Sequence, residues 1–373
     1  MTEKGFAMSD EVIERALHNI YRRNFNPKTD IEPGFFHAFV STLNTAADKG
    51  IRQAQRPEDD FLNALRHNTA VFAAFKTHRL QNDVARQLMD SNGNLKPFER
   101  WKNDVQDITS HQCKAWLRTE YDTAVLRARQ AANWQQFQRE KDVLPNLEWM
   151  PSTSPNPGAD HMPFWGTILP VDHPFWEQHR PGDRWNCKCD LRATDKPTTT
   201  VPADPANAHD PQPGLDSNPG RTAQLFAPSH PYIANAYPGA REAVEKAVRK
   251  EEFQEIKKEA RKTLQGTTIS HPKLKGKIKI SRRSIDEWTN QPHIHYQEKN
   301  LMILSIGKVL QNAKYLGKKT DVSQKAGTKF VHIFEIEIKA DKSWIIVKEY
   351  QDGSIMLYSV SDSPNVLIGL NKK

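Results

Sequence analysis

Through residues 9–140, apolar positions recur at intervals of three and four. The clearest stripe joins Cys113, Trp116, Leu117, Tyr121, Ala124, Ala128 and Ala131. That period predicts amphipathic helix, with Cys113 as a core thiol on the buried side. Ser91-Asn92-Gly93-Asn94 supplies a turn ahead of it. Beyond Leu144 the periodicity breaks. Pro145, Pro151, Pro155, Pro157, Pro163, Pro170 and Pro174 keep this part rich in loops. Residues 197–240 hold nine of the 24 prolines and little apolar periodicity, the composition of a semi-rigid linker.

A second pattern starts after Gly239. Arg241 to Leu264 is a charged helix with Val244, Val248, Ile256 and Ala260 on one face, followed by a short strand at Lys277 to Ser281 and a helix from Gln297 to Tyr315. Three strands close the chain, at Lys329 to Ile338, Ser343 to Tyr350 and Ser354 to Val360. Gln351-Asp352-Gly353 suits a three-residue hairpin loop with glycine in the left-handed position. That register puts Ile345, Val347, Ile355 and Leu357 on an apolar face, and Lys348, Tyr350, Ser354 and Tyr358 on the other. The implied fold class is multidomain. A mainly α first domain (1–196) ends in a loop-rich Cys/His/Trp element, a Pro-rich linker spans 197–240, and a small α+β domain with an antiparallel sheet fills 241–373.

Composition refines this. The 373 residues allow two or three cores, and 37% hydrophobic content with a mean hydropathy of −0.75 is globular but polar. No apolar run is long enough for a bilayer, and the first residues lack the apolar core of a secretion signal. Three cysteines cannot build a disulfide framework and suit a reducing cytoplasm. The net charge of +8 is uneven: 26 Lys+Arg face 16 Asp+Glu from Arg241 onward, against 27 and 29 before it. The basic excess of the last third suggests a polyanionic partner for that part alone.

The densest cluster of costly residues is HPFWEQHRPGDRWNCKCD, residues 173–190. Cys187 and Cys189, with two of His161, His173 and His179, are the residue types that bind a structural zinc, although Cys-x-Cys is tighter than the usual spacing. The alternative is a pair of small buried thiols at a strand end. Trp165, Trp176 and Trp185 are packing anchors. Asp172-His173-Pro174-Phe175-Trp176, followed by the G-x-x-W-x-C-x-C run Gly182 to Cys189, resembles the closing signature of the Mu F-like family of phage minor head proteins, over roughly residues 30–195. The resemblance implies a component of the virion head, made in the host cytoplasm, with the portal and other head proteins as partners. It also implies matching His and Cys positions, which adds to the zinc reading, taken here as Cys187, Cys189, His161 and His173.

Residues 240–373 resemble the barnase–EndoU–colicin–RelE-like nuclease domains that such head proteins carry. The resemblance implies a metal-independent endoribonuclease acting on RNA, with an immunity protein as a further partner. Such cleavage needs a base for the 2′-hydroxyl, an acid for the leaving oxygen and donors for the phosphate. Lys348 and Tyr358 share a sheet face and suit the phosphate, His332 is a base that strand parity puts on the core side, and His293 and His295 are loop acid–base groups. Arg282, Arg283 and Lys299 are nucleic-acid contacts. The competing reading is a structural head protein whose basic domain binds packaged DNA or a scaffold. An ADP-ribosyl-transferase lacks its motif here, as do Walker loops, nucleophile elbows and HExxH.

Overall fold

A computed structural model describes residues 8–22, 24–202, 210–320 and 327–370. The chain divides into two compact units, Met1–Val248 and Arg249–Lys373.

The first unit is built on helices α1 (Asp10–Tyr21), α2 (Pro33–Ile51), α3 (Asp59–Ala85), α4 (Phe98–Asp104), α5 (Gln106–Ser110) and α6 (Trp116–Glu140). The expected stripe is buried from Cys113 through Ala131, except Trp116, which is 48% exposed. A π-helical turn at His111–Ala115 precedes Trp116. The extra residue in a π-turn rotates the helix beyond it, so Leu117 faces inward and Trp116 turns out. Helix α2 lies against α6 closely enough that a Cβ on Gly50 would sit 2.2 Å from the Val125 carbonyl oxygen.

Strand β1 (Asn146–Met150) pairs antiparallel with both β2 (Ile168–Pro170) and β3 (Asp190–Thr194), and the one-turn helix α7 (Phe175–Gln178) lies between β2 and β3 in sequence. Trp149 and Trp176 are fully buried in a core with Phe164, Phe175 and Cys189, while Trp165 and Trp185 pack at the edges of their clusters.

The Pro-rich stretch differs from a linker. Leu215, Leu225 and Phe226 are buried in the main core, along with Tyr232 and Ile233 of the short helix α9 (Pro231–Ala234), which comes after α8 (Pro219–Thr222). Residues 203–209 lie outside the described residues. Two buried arginines hold the rest. Arg127 of α6 donates to the carbonyl oxygens of Gly182, Leu215, Ser217, Gln224 and Leu225. Arg180 donates to those of Trp176, Glu177, Leu215 and Ser217. Guanidinium groups satisfy backbone that has no secondary-structure partner, so a segment without periodicity is still folded. Lys76 and Glu120, both buried, pair at 2.8 Å between α3 and α6, and Tyr232 donates its hydroxyl to Glu120.

Helix α10 (Ala240–Leu264) begins in the first unit, with Val244 and Val248 in its core, and Ile256 and Ala260 belong to the core of the second. Then come β4 (Thr268–Ile269), β5 (Ile278–Lys279), α11 (Arg282–Asn290), α12 (Tyr296–Met302), α13 (Ile306–Asn312), β6 (Lys314–Thr320), β7 (Thr328–Ile338), β8 (Asp341–Tyr350) and β9 (Ile355–Ser361). The sheet order is β4-β5-β9-β8-β7-β6, antiparallel except for the parallel β5–β9 pair. The single helix expected over Gln297–Tyr315 is two, joined by a 3-10 turn at Ile303–Ser305, and its last residues belong to β6. Helix α11 begins at a reciprocal cap between Ser281 and Ser284.

The last hairpin has the expected three-residue loop: Tyr350 N–H donates to Ser354 O at 2.9 Å, and Gly353 sits at φ 80. Ile345, Val347, Ile355 and Leu357 are buried on the helix-covered face. A register shift between Ile346 and Val347 then pairs Ile345 with Val360. The opposite face is not simply polar, because Val331, Ile333 and Trp344 are buried there under Val366, Leu367 and Leu370.

Candidate functional site

In the closing element of the first unit, His161, Cys187 and Cys189 bring one ligand atom each within 4.8 Å of one another. Backbone geometry explains how a spacing of two achieves this. Asn186 takes a left-handed turn at φ 61, and the chain then extends into β3, where alternate side chains share a side. His161 Nδ1 lies 3.4 Å from Cys187 Sγ and 3.7 Å from Cys189 Sγ. Its Nε2 lies 2.6 Å from the buried Asp183 carboxylate. Burial pulls the imidazole pKa down, but Asp183 and then Cys189 outweigh it and raise it to about 9. Of the two thiols, Cys187 is pushed up by its hydrogen bond to Cys189 and by burial. Cys189 is drawn down to about 5 by Cys187 against the effect of burial, with help from His161 and from the indoles of Trp149 and Trp165. Those two indole N–H groups are buried without a well-formed acceptor. His173 is not in the cluster: its Nδ1 accepts the Phe175 N–H at the start of α7. His179 is buried against Phe164 and Phe175.

In the second unit the expected catalytic residues fall in three places. Lys348 Nζ stands 3.6 Å from the Tyr358 ring centroid, on the sheet face that carries Val331 and Ile333. His332 lies on the other face, 4% exposed, as strand parity requires. Its Nδ1 is 2.9 Å from the Tyr315 hydroxyl and its Nε2 is 2.9 Å from Glu349 Oε2. Burial lowers its pKa and Glu349 opposes that. Lys318 is beside it, with Nζ 3.9 Å from the Phe330 ring centroid. His293 and His295 sit at the far end of β8: His293 Nε2 meets Ser343 Oγ at 3.1 Å and His295 Nε2 meets Asp341 Oδ2 at 2.6 Å. Ser343 and Glu349 are separated by about 20 Å along the strand, so these groups cannot act on one bond.

The basic contacts also separate. Arg282 and Arg283 open α11, and their exposed side chains only approach Asp286 and Glu287, at 4.0 and 3.7 Å. Lys299 is not a nucleic-acid contact. It is fully buried, and its ammonium donates to the carbonyls of Trp288, Thr289 and Gln291 at the end of α11. Burial draws its pKa down to about 8. Sequence reasoning missed Tyr315, Glu349 and Asp183. Glu349 was legible from the hairpin register, since it lies diagonal to His332, whereas Tyr315 needed the unrecognised strand β6.

Comparison with known proteins places these features. Residues 79–192 match the family model described as Phage Mu protein F like protein. The Mu F-like match runs from α3 into β3, so it takes in all of the His161, Cys187 and Cys189 cluster and starts later than the expected residue 30. Residues 247–358 match Large polyvalent protein-associated domain 3, a description that names no activity. No curated protein and no solved structure matches the chain. No helix among the described residues is long and apolar enough to cross a membrane.

Proposed function

We propose that the chain is a minor component of a phage head, acting in head morphogenesis through its first unit beside the portal and other head proteins. The Mu F-like match over 79–192 carries this reading. The first unit supports it physically: its buried charges are engaged with carbonyl groups and with each other, as in a scaffold built to hold shape. The test is genetic. An early stop codon in the gene, in the phage or prophage that encodes it, should yield defective or empty heads, rescued by the full chain in trans. Normal yields of infectious particles from the stop mutant would reject the reading.

The second unit has a second reading, an endoribonuclease, favoured by one observation. Tyr315, His332 and Glu349 form a continuous hydroxyl–imidazole–carboxylate chain across three strands, with Lys318 alongside. In that order Glu349 fixes the imidazole, and the imidazole exchanges a proton with the hydroxyl or with a substrate that displaces it. The neutral imidazole favoured by burial is the form that accepts a proton. Lys348 and Tyr358, on the opposite face, have no part in this chemistry. Full-length protein incubated with total RNA in EDTA tests it. Cleavage that persists in EDTA and is lost in His332→Ala supports the nuclease, while intact RNA with salt-sensitive nucleic-acid binding rejects it in favour of a DNA- or scaffold-binding unit.

A further inference from the structure

We infer that His161, Cys187 and Cys189 hold a single zinc ion through Nδ1 and the two Sγ atoms, with Asp183 positioning the imidazole from its other nitrogen.

The distances carry the first step. Zinc–nitrogen and zinc–sulfur bonds near 2.1 and 2.3 Å at a tetrahedral angle put the two ligand atoms about 3.6 Å apart. The two observed N···S separations are 3.4 and 3.7 Å.

A purely hydrogen-bonded cluster leaves the single Nδ1 position to serve two sulfurs. With Nε2–H donated to Asp183, Nδ1 offers one lone pair when the ring is neutral and one N–H when it is charged, a single bonding direction in either state. Two sulfurs converge on it. A cation at their common centre satisfies all three donors at once. The backbone N–H of Cys189 also points to Cys187 Sγ at 3.4 Å, the kind of bond that supports a sulfur carrying negative charge.

The surroundings agree with a metal centre. The Asp183 carboxylate on the remote nitrogen fixes the tautomer that leaves Nδ1 free to ligate, the usual arrangement behind a metal-bound histidine. Two thiolates and an imidazole select zinc over magnesium or calcium, which prefer oxygen. Among the described residues no fourth His, Cys, Asp or Glu joins the cluster. The fourth position therefore falls to solvent, on the side of the half-buried Cys187. The ion would tie the segment around His161 to the start of β3, closing an irregular loop whose regular structure is the three-residue strand β2 and the one-turn helix α7.

The full chain, expressed in zinc-supplemented medium and purified without chelator, should carry one zinc per chain by elemental mass spectrometry. Cys113→Ser, which removes the remote buried thiol, should leave that content unchanged, and Cys187→Ser with Cys189→Ser should abolish it. If the double variant does not fold, cobalt titration of the wild-type chain decides. A thiolate-to-cobalt charge-transfer band with visible d–d bands of tetrahedral intensity supports the site. Asp183→Asn should keep the ion but weaken it by roughly 10–100-fold in a chelator competition. A wild-type chain with reduced thiols that contains no zinc and gives no cobalt bands overturns the inference.

Discussion

Glu120→Gln isolates the buried charge pair at the centre of the first unit. Lys76 has no exposed side-chain surface and Glu120 only 5%, with 2.8 Å between them. At an effective dielectric of 20 that separation corresponds to roughly 6 kcal/mol of attraction, most of it offset by the desolvation of both ions. The substitution removes the attraction and leaves the desolvation. The ammonium keeps a neutral amide oxygen in place of the carboxylate, besides the Phe39 and Tyr232 rings, 5.0 and 5.3 Å away. The expected loss is about 3–5 kcal/mol, which for a unit of this size lowers its melting temperature by roughly 6–20 °C. The paired change Lys76→Met with Glu120→Leu should recover most of it, since an apolar pair of similar volume carries no stranded charge. Calorimetry on the full chain measures both. A Glu120→Gln variant that melts with wild type, or a double variant worse than the single, would refute the reasoning.

The packing leads to three further outcomes. Arg127→Met strands the carbonyls of Gly182, Gln224 and Leu225, while those of Leu215 and Ser217 keep Arg180, and should cost about 3 kcal/mol or more, with new protease cleavage between residues 212 and 226. Gly50→Ala pushes a methyl group into the Val125 carbonyl and should destabilise by about 1–3 kcal/mol in urea unfolding. His230 is held neutral, its pKa lowered from 6.5 to about 4 by burial and then by Lys76, and His78 shifts the same way by burial. The unfolded chain therefore binds more protons below pH 6.5. Stability should be full above that pH and fall towards pH 4 by up to about 1.4 kcal/mol per pH unit from His230. His230→Asn, which can still cap Tyr232 N–H, should flatten this slope in a pH series of melts.

Local periodicity is enough wherever one face of a regular element meets a core. The Cys113–Ala131 stripe and the Gln351-Asp352-Gly353 hairpin both follow from spacing and turn chemistry alone. The Pro-rich stretch reads as a linker because what folds it is Arg127 and Arg180 reaching backbone carbonyls, and a carbonyl has no sequence signature. Strand β6 is hidden because its residues, KYLGKKT, are those of a charged sheet edge. The same limit governs the sites. Cys187, Cys189 and His161 are visible as residue types, but only the left-handed turn at Asn186 and the carboxylate of Asp183 separate His161 from His173. In the second unit, parity places His332 correctly on the core side, whereas its distance from His293 and His295 depends on where a loop meets the far end of β8.

The central claim is that this is a head protein, and the composition of the particle tests it most directly. Heads purified by gradient from the encoding phage or induced prophage should contain peptides from both 79–192 and 247–358, in equal amounts and at a few copies per head, by quantitative mass spectrometry. Recovery of the chain only from the host cytoplasm, with none in DNA-filled heads or their precursors, would contradict the account.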